Sequence, residues 1–336
     1  MTTAHYSKRF STYLLLRPMK TILVPLDHTA AAEHILAYAN KLAVRWPAEV
    51  VLLHCPAPAA TAPTEATLAA EEQRLHSLVE RLRYQQLTRQ DGRRIRYRYR
   101  VLPGCLADHI RAEAALCDAA LVVLGLEHLD CCQHLAPSNH AVGLTERLTC
   151  PVLLVPAGRR SLPRHLVLSA DFAARDERLM RQLSALAGAF PAPLDLVQTY
   201  PPTDRPRRLQ LKQALQAATA QLAWLAPVAA HLVEDEARLE GVDEFCARAH
   251  ADLLVIAPAS AAELAHYFAT CYTKTRAYHT QIPVLVLRPT RPTASAEACC
   301  ARCAAHTVLD DVGTGSYPAG SYPVELAPAP APKLLP

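Results

Sequence analysis

No apolar stretch of this chain approaches the roughly 20 residues needed to cross a bilayer, and the run YLLL at 13–16 is too short for the core of a secretory signal peptide. The sequence therefore predicts a cytoplasmic protein without membrane attachment. Charge of one sign is equally scarce. The 336 residues carry a formal net charge of +4, and the basic residues are dispersed rather than gathered in a run, which argues against a nucleic-acid partner. Catalytic signatures are missing as well. There is no Walker phosphate loop, no G-x-S-x-G nucleophile elbow and no H-E-x-x-H zinc helix, so no enzyme is expected.

What the chain does have is a duplication. ILVPLD at 22–27 recurs as LVLSAD at 166–171 and EVVLLH at 49–54 as PLDLVQ at 193–198, both 144 residues on. LVVLG at 121–125 recurs as LLVIA at 253–257 and PVLLV at 151–155 as PVLVL at 283–287, both 132 residues on. Order and spacing repeat, which is the mark of duplicated units. With 51% hydrophobic residues the chain can bury two cores, each in a unit of about 130–140 residues.

In each copy short β-branched apolar runs alternate with amphipathic helical stretches. In the first, strands are predicted at 20–26, 49–55, 94–102, 120–125 and 151–156, with Thr29 capping a helix that runs to Trp46 and a charged helix over 65–87. The third of these strands alternates basic and apolar residues, as an exposed or edge strand does. The second copy predicts helices over 172–189, 206–225, 239–250 and 262–279 between its strands. This alternation specifies the α/β class: two Rossmann-like five-stranded parallel-sheet domains in tandem, with ligands outside the carboxyl ends of the strands.

The expected divisions are an N-terminal arm at 1–18, one domain at 19–158, a second at 162–290 and an Ala/Pro-rich tail at 291–336. The tail, ending APAPAPKLLP, cannot bury enough surface to offset its ordering entropy and is expected to be disordered. Met19 directly before the first strand offers an alternative start to Met1. Of the eleven cysteines, Cys55, Cys117, Cys150 and Cys246 lie in or beside apolar segments, where a thiol acts as a small hydrophobe. That usage fits a reducing compartment better than a disulfide framework.

ILVPLD, LLH in the second strand, Gly104 after the third, LVVLG in the fourth and CPVLLVP at the close resemble the universal stress protein family, and the duplication resembles its tandem-domain members. The resemblance spans residues 19–290. It implies the Rossmann-like fold of adenine nucleotide alpha hydrolase-like proteins, dimer-like pairing of the two domains, and a role in surviving stress. Nucleotide-binding members of the family carry a loop after the fourth strand written as Gly, two residues, Gly, nine residues, Gly, then Ser or Thr. Its glycines let backbone amides approach phosphate.

Laid on the first copy, that spacing falls on Gly125, His128, Ser138 and Asn139, so only the first glycine is present. In the second it falls on Ala257, Ser260, Thr270 and Cys271, with no glycine at all. Side chains at these points crowd the backbone where a triphosphate would lie. Other positions match better: Asp27 and Asp171 stand where the family's aspartate meets the nucleoside, and Cys55 stands where the backbone contacts adenine. An aspartate just before a helix is equally explained by capping and the helix dipole.

Three further clusters carry chemistry. GLEHLDCCQH at 125–134 gathers Glu127, His128, Asp130, Cys131, Cys132 and His134, of which His128, Cys131, Cys132 and His134 are the candidate metal or oxidant-sensing set. Its spacing is that of no common zinc motif, and a loop drifting after losing phosphate explains it as well. CCARCAAH at 299–306 places Cys299, Cys300, Cys303 and His306 together, as a small metal site or an oxidisable tail. RYRYR at 96–100 interleaves Arg with Tyr as nucleic-acid surfaces do, but alternation equally puts the arginines on the wet face of a strand.

The sequence thus predicts a non-catalytic stress-response protein whose two domains pair through their closing strands, with an unknown protein partner and a homodimer as a further arrangement. No cofactor is expected. The alternatives are an adenine-nucleotide switch, with ATP held by Asp27, Cys55, Gly125, Ser138 and Asn139, and a thiol or metal sensor at 125–134.

Overall fold

The computed structural model describes residues 19–26, 30–56, 64–87, 94–126, 140–158, 160–174, 177–224, 226–236, 238–258, 260–267 and 281–287. The first copy forms β1 (Lys20–Pro25), α1 (Ala30–Arg45), β2 (Ala48–His54), α2 (Glu65–Gln86), β3 (Tyr97–Val101), α3 (Leu106–Leu116), β4 (Leu121–Leu126), α4 (His140–Arg147) and β5 (Val152–Pro156). The second forms β6 (Leu166–Ser169), α5 (Glu177–Leu186), β7 (Leu194–Tyr200), α6 (Arg208–Leu222), β8 (Val228–Glu234), α7 (Arg238–Ala249), β9 (Leu253–Ile256), α8 (Ala261–Tyr267) and β10 (Val284–Val286).

All ten strands join one sheet in the order β3-β2-β1-β4-β5-β10-β9-β6-β7-β8. Each half is parallel throughout. Where they meet, β5 and β10 run antiparallel, with Val284 opposite Leu154, Leu285 opposite Leu153 and Val286 opposite Val152. The continuous apolar runs explain the central strands: Ile22, Leu23 and Val24 are wholly buried, as are Leu153 and Leu154, because helices cover both faces.

On one face, α1, α2, α5 and α6 pack over a core that crosses both halves without a break, from Leu75 and Val79 through Leu153 and Leu285 to Leu215 and Leu222. On the other, α3, α4, α7 and α8 contribute Ile110, Leu144, Val242 and Leu264. Further contacts tie half to half. Lys41 Nζ donates to the Arg160 carbonyl at 2.7 Å, and Arg178 Nη2 to the Thr149 carbonyl at 3.1 Å. Trp46 packs so close to Gly188 that a β-carbon there would stand 3.3 Å from the indole.

The two copies also stop their helices alike. Asp118 (φ 47°) and His250 (φ 50°) both adopt the left-handed conformation just past α3 and α7. The following amides then close back, Ala119 N to Ala114 O at 2.9 Å and Ala251 N to Cys246 O at 3.0 Å. These are Schellman closures that satisfy the last helical carbonyls.

The continuous helix expected over 172–189 is instead a short 3-10 turn, Phe172–Ala174, followed by α5. The reason is local. Asp171 Oδ1 accepts from Ala173 N at 3.0 Å while the Phe172 amide is drawn to Gln198, so the first amides are engaged outside an α-helical ladder. Before α6 another 3-10 segment, Pro202–Arg207, holds Pro206 where an α-helix would resent it. The helix expected over 262–279 is described only as far as Tyr267.

Candidate functional site

In the first half β1 lies between β2 and β4, so the chain turns in opposite directions from the carboxyl ends of these strands. That is the switch point at which open α/β sheets hold ligands. The row of residues closing it is well defined. Leu26 N donates to Leu53 O at 2.9 Å, and Leu102 N to His54 O at 3.0 Å. The His54 ring is buried at 4% exposure, and its Nδ1 donates to the Leu26 carbonyl at 2.8 Å. A carbonyl can only accept, so Nδ1 carries the proton and Nε2 faces outward. It points toward Glu71 Oε2 of α2, 3.8 Å away, while Arg74 holds Oε1 of the same carboxylate at 2.8 Å.

Cys55 follows His54 and, like Leu102, Cys105 and Leu106, packs half-buried against the core on the α3 side of the sheet. Burial first, then Cys105, Glu113 and Asp108, push its thiol up to about 12. At neutral pH this favours the protonated thiol, a poor nucleophile. Below it, Arg100 grips the buried Glu113 of α3 by two bonds, 3.0 and 3.1 Å, and so fixes the edge strand to the helix.

Gly125 stands near the end of β4, opposite Val155 of β5. A β-carbon there would lie 2.5 Å from Ile35 Cδ1 of α1. The glycine therefore lets the helix approach the strand, a packing reason that needs no phosphate. Cys55 and Gly125 are separated by β1, about 10 Å of sheet. Asp27, His128, Ser138 and Asn139 of the expected nucleotide set lie outside the described residues, as do Cys131, Cys132 and His134 of the metal set and the cluster at 299–306. Among the described residues no three His, Cys, Asp or Glu side chains stand together as a metal site.

In the second half Gln198 takes the place of His54. Buried at 4% exposure, it accepts from the Phe172 amide through Oε1 at 2.9 Å. Asp171 turns back to its own Ala173 amide, the capping role. Ser260 Oγ accepts from the Glu263 amide at 3.1 Å and caps α8, a use for the position where the loop pattern has glycine. At the ends of β7 and β8, Tyr200 Oη donates to Glu234 Oε2 at 3.0 Å and Arg205 Nε to Oε1 at 2.9 Å. These polar groups are satisfied by one another.

His54 and Gln198 are the site-forming residues that sequence reasoning passed over. A signal for them exists: in both copies the apolar run of the second strand ends on a polar residue at that point, LLH at 52–54 and LVQ at 196–198. Among the described residues the crevice offers backbone groups, the Cys55 thiol and the buried His54 imidazole.

No curated protein matches the chain. The universal stress protein family matches residues 18–156. Among solved structures, a universal stress protein from Archaeoglobus fulgidus superposes with a TM-score of 0.58 at 11% identity, over 80% of this chain and 96% of its own. A functionally unknown protein from Pseudomonas aeruginosa does so with a TM-score of 0.54 at 15% identity, over 81% of this chain and 93% of its own. Both likenesses establish the fold of the sheet and its helices. No helix among the described residues is long and apolar enough to cross a membrane. The likeness to the universal stress protein family is thus carried by residues 18–156.

Proposed function

We propose that this chain is a non-catalytic stress-response binding protein of the cytoplasm, built as two family-like domains, 19–158 and 162–290, that act as one body. The observation that carries the reading is the antiparallel pairing of β5 with β10, which makes a single ten-stranded sheet from the two copies. A body so fused presents two fixed carboxyl-end surfaces to a protein partner. The chemistry at hand supports binding: the Cys55 thiol is held protonated, and Gly125 is used for packing against Ile35. The loss of the later loop glycines at His128 and Ser138 removes the backbone cradle that triphosphate needs.

A second reading is an adenine-nucleotide switch worked by the first domain. The switch point between β1 and β4, closed by His54 and flanked by the half-buried Cys55, supports it. Equilibrium dialysis of the full chain against labelled ATP and Mg²⁺, with Asp27→Ala beside it, separates the two. The binding-protein reading expects no saturable uptake at millimolar ATP and no phosphate release. One equivalent bound, and lost in Asp27→Ala, would replace it with the switch.

A further inference from the structure

The two edges of the sheet were built from one plan and now differ by a missing volume. In the first half, Val50 pairs with Tyr97 and Leu52 with Tyr99. Their counterparts 144 residues on, Leu194 and Leu196, pair with Val228 and Ala230. Both tyrosines are used on the first edge. Tyr99 stacks on His76 of α2 with ring centres 4.1 Å apart, and Tyr97 donates to Asn40 Oδ1 at 2.8 Å beneath the Arg83 guanidinium. Together they fill the angle between edge strand and helix.

On the second edge the same angle, between β8 and α6, is open. It is a groove of about 660 Å³ with Leu215, Ala230 and Leu232 among its lining. Its size falls within the range of small-molecule sites, about 300–1,000 Å³. Its rim is cationic: Arg205, Arg208 and Lys212 all line it. Arg208 and Lys212 stand four residues apart, on one face of α6. Glu234 engages Arg205. Three cations against one carboxylate leave the rim positive over an apolar floor.

We propose that this groove binds an organic anion with an apolar body, an aryl or alkyl carboxylate. The hydrocarbon takes the space of the ring absent at Ala230, and the acid group meets Arg208 and Lys212. The occupancy is independent of any nucleotide at the first half's switch point, which lies at the far side of the sheet.

The test uses the full chain and the fluorescent aryl sulfonate 8-anilinonaphthalene-1-sulfonate, displaced by dodecanoate below its micelle concentration. One saturable dye site, emptied by dodecanoate, is expected. Ala230→Tyr, which restores the ring of the first edge at an exposed position, should weaken dye and dodecanoate at least ten-fold. Lys212→Glu, on the exposed face of the helix, should do the same without touching the floor. Both variants should keep the parent's circular dichroism. Absence of a saturable site, or parental affinity in both variants, would overturn the proposal. So would displacement of the dye by an acidic peptide but not by dodecanoate, which would assign the groove to strand addition along β8.

Discussion

His54 and Gln198 occupy the same point of the duplicated fold and fasten the neighbouring strand by opposite chemistry. His54 Nδ1 gives a proton to the Leu26 carbonyl, and Gln198 Oε1 receives one from the Phe172 amide. Each side chain is buried, and each bonds to backbone just past the first strand of its copy. The fold thus preserves a fastening rather than a residue.

Gln198→Ala should therefore cost about 1–3 kcal/mol, because it leaves the Phe172 amide buried without its acceptor. Urea unfolding measures it. A loss below about 0.5 kcal/mol would mean that water replaces the side chain and that the fastening is not structural.

Tyr38 runs the other way. The residue is 1% exposed, its hydroxyl has no hydrogen-bond partner among the described residues, and burial raises its pKa well above the ordinary tyrosine value. Tyr38→Phe removes an unsatisfied polar atom while keeping the ring, so it should be neutral or stabilising by about 1 kcal/mol. Thermal unfolding of the two proteins side by side decides, and clear destabilisation would contradict it.

The Cys55 thiol gives a pH prediction with a definite sign. Burial raises its pKa from the ordinary thiol value to about 12 in the fold. A raised pKa means that the protonated form is favoured by folding, so the contribution is complete below about pH 8.5 and is lost as pH rises toward 12. Cys55→Ala should flatten stability against pH across that window. At pH 8 the folded thiol should also be alkylated by iodoacetamide at least about ten-fold more slowly than the unfolded one, read by mass mapping of its peptide.

Leu153 and Leu285 face each other where the halves meet, both essentially without exposure. Either one changed to alanine should cost about 2–5 kcal/mol, and the double change should cost less than the sum, because the two share one contact. The two tryptophans report separately on the halves: Trp46 is 7% exposed in the first and Trp224 is 71% exposed in the second. In a Trp224→Phe background, Leu285→Ala should still shift the unfolding transition seen by Trp46. Independence of Trp46 from Leu285 would mean that the sheet is not one cooperative unit.

The strands were the most legible part of the sequence, because apolar runs buried on both faces leave little freedom of register. RIRYRYRVL declared itself an edge by its alternation, and β3 is one. Helix starts were less legible. Asp171 and Gln198 together divert the amides at 172–174, and only the fold brings residues 26 positions apart to that turn. The groove beside β8 was not legible at all, since its signal is the smallness of Ala230 where the other copy has Tyr99. Of the nucleotide set, Cys55 and Gly125 could be placed. Gly125 shows why a motif glycine is ambiguous: the tip of the Ile35 side chain occupies the space its β-carbon would take, so packing favours glycine there too.

The most direct test of the central claim, that this is a binding body which does not work by nucleotide, is mass spectrometry on the denatured extract of natively purified full-length protein, with elemental analysis of the same sample. The account predicts far less than one equivalent of adenine nucleotide and of any transition metal per chain. One equivalent of adenine nucleotide would contradict it and make the first half a switch. One equivalent of zinc or another thiophilic metal would contradict it in favour of a sensor.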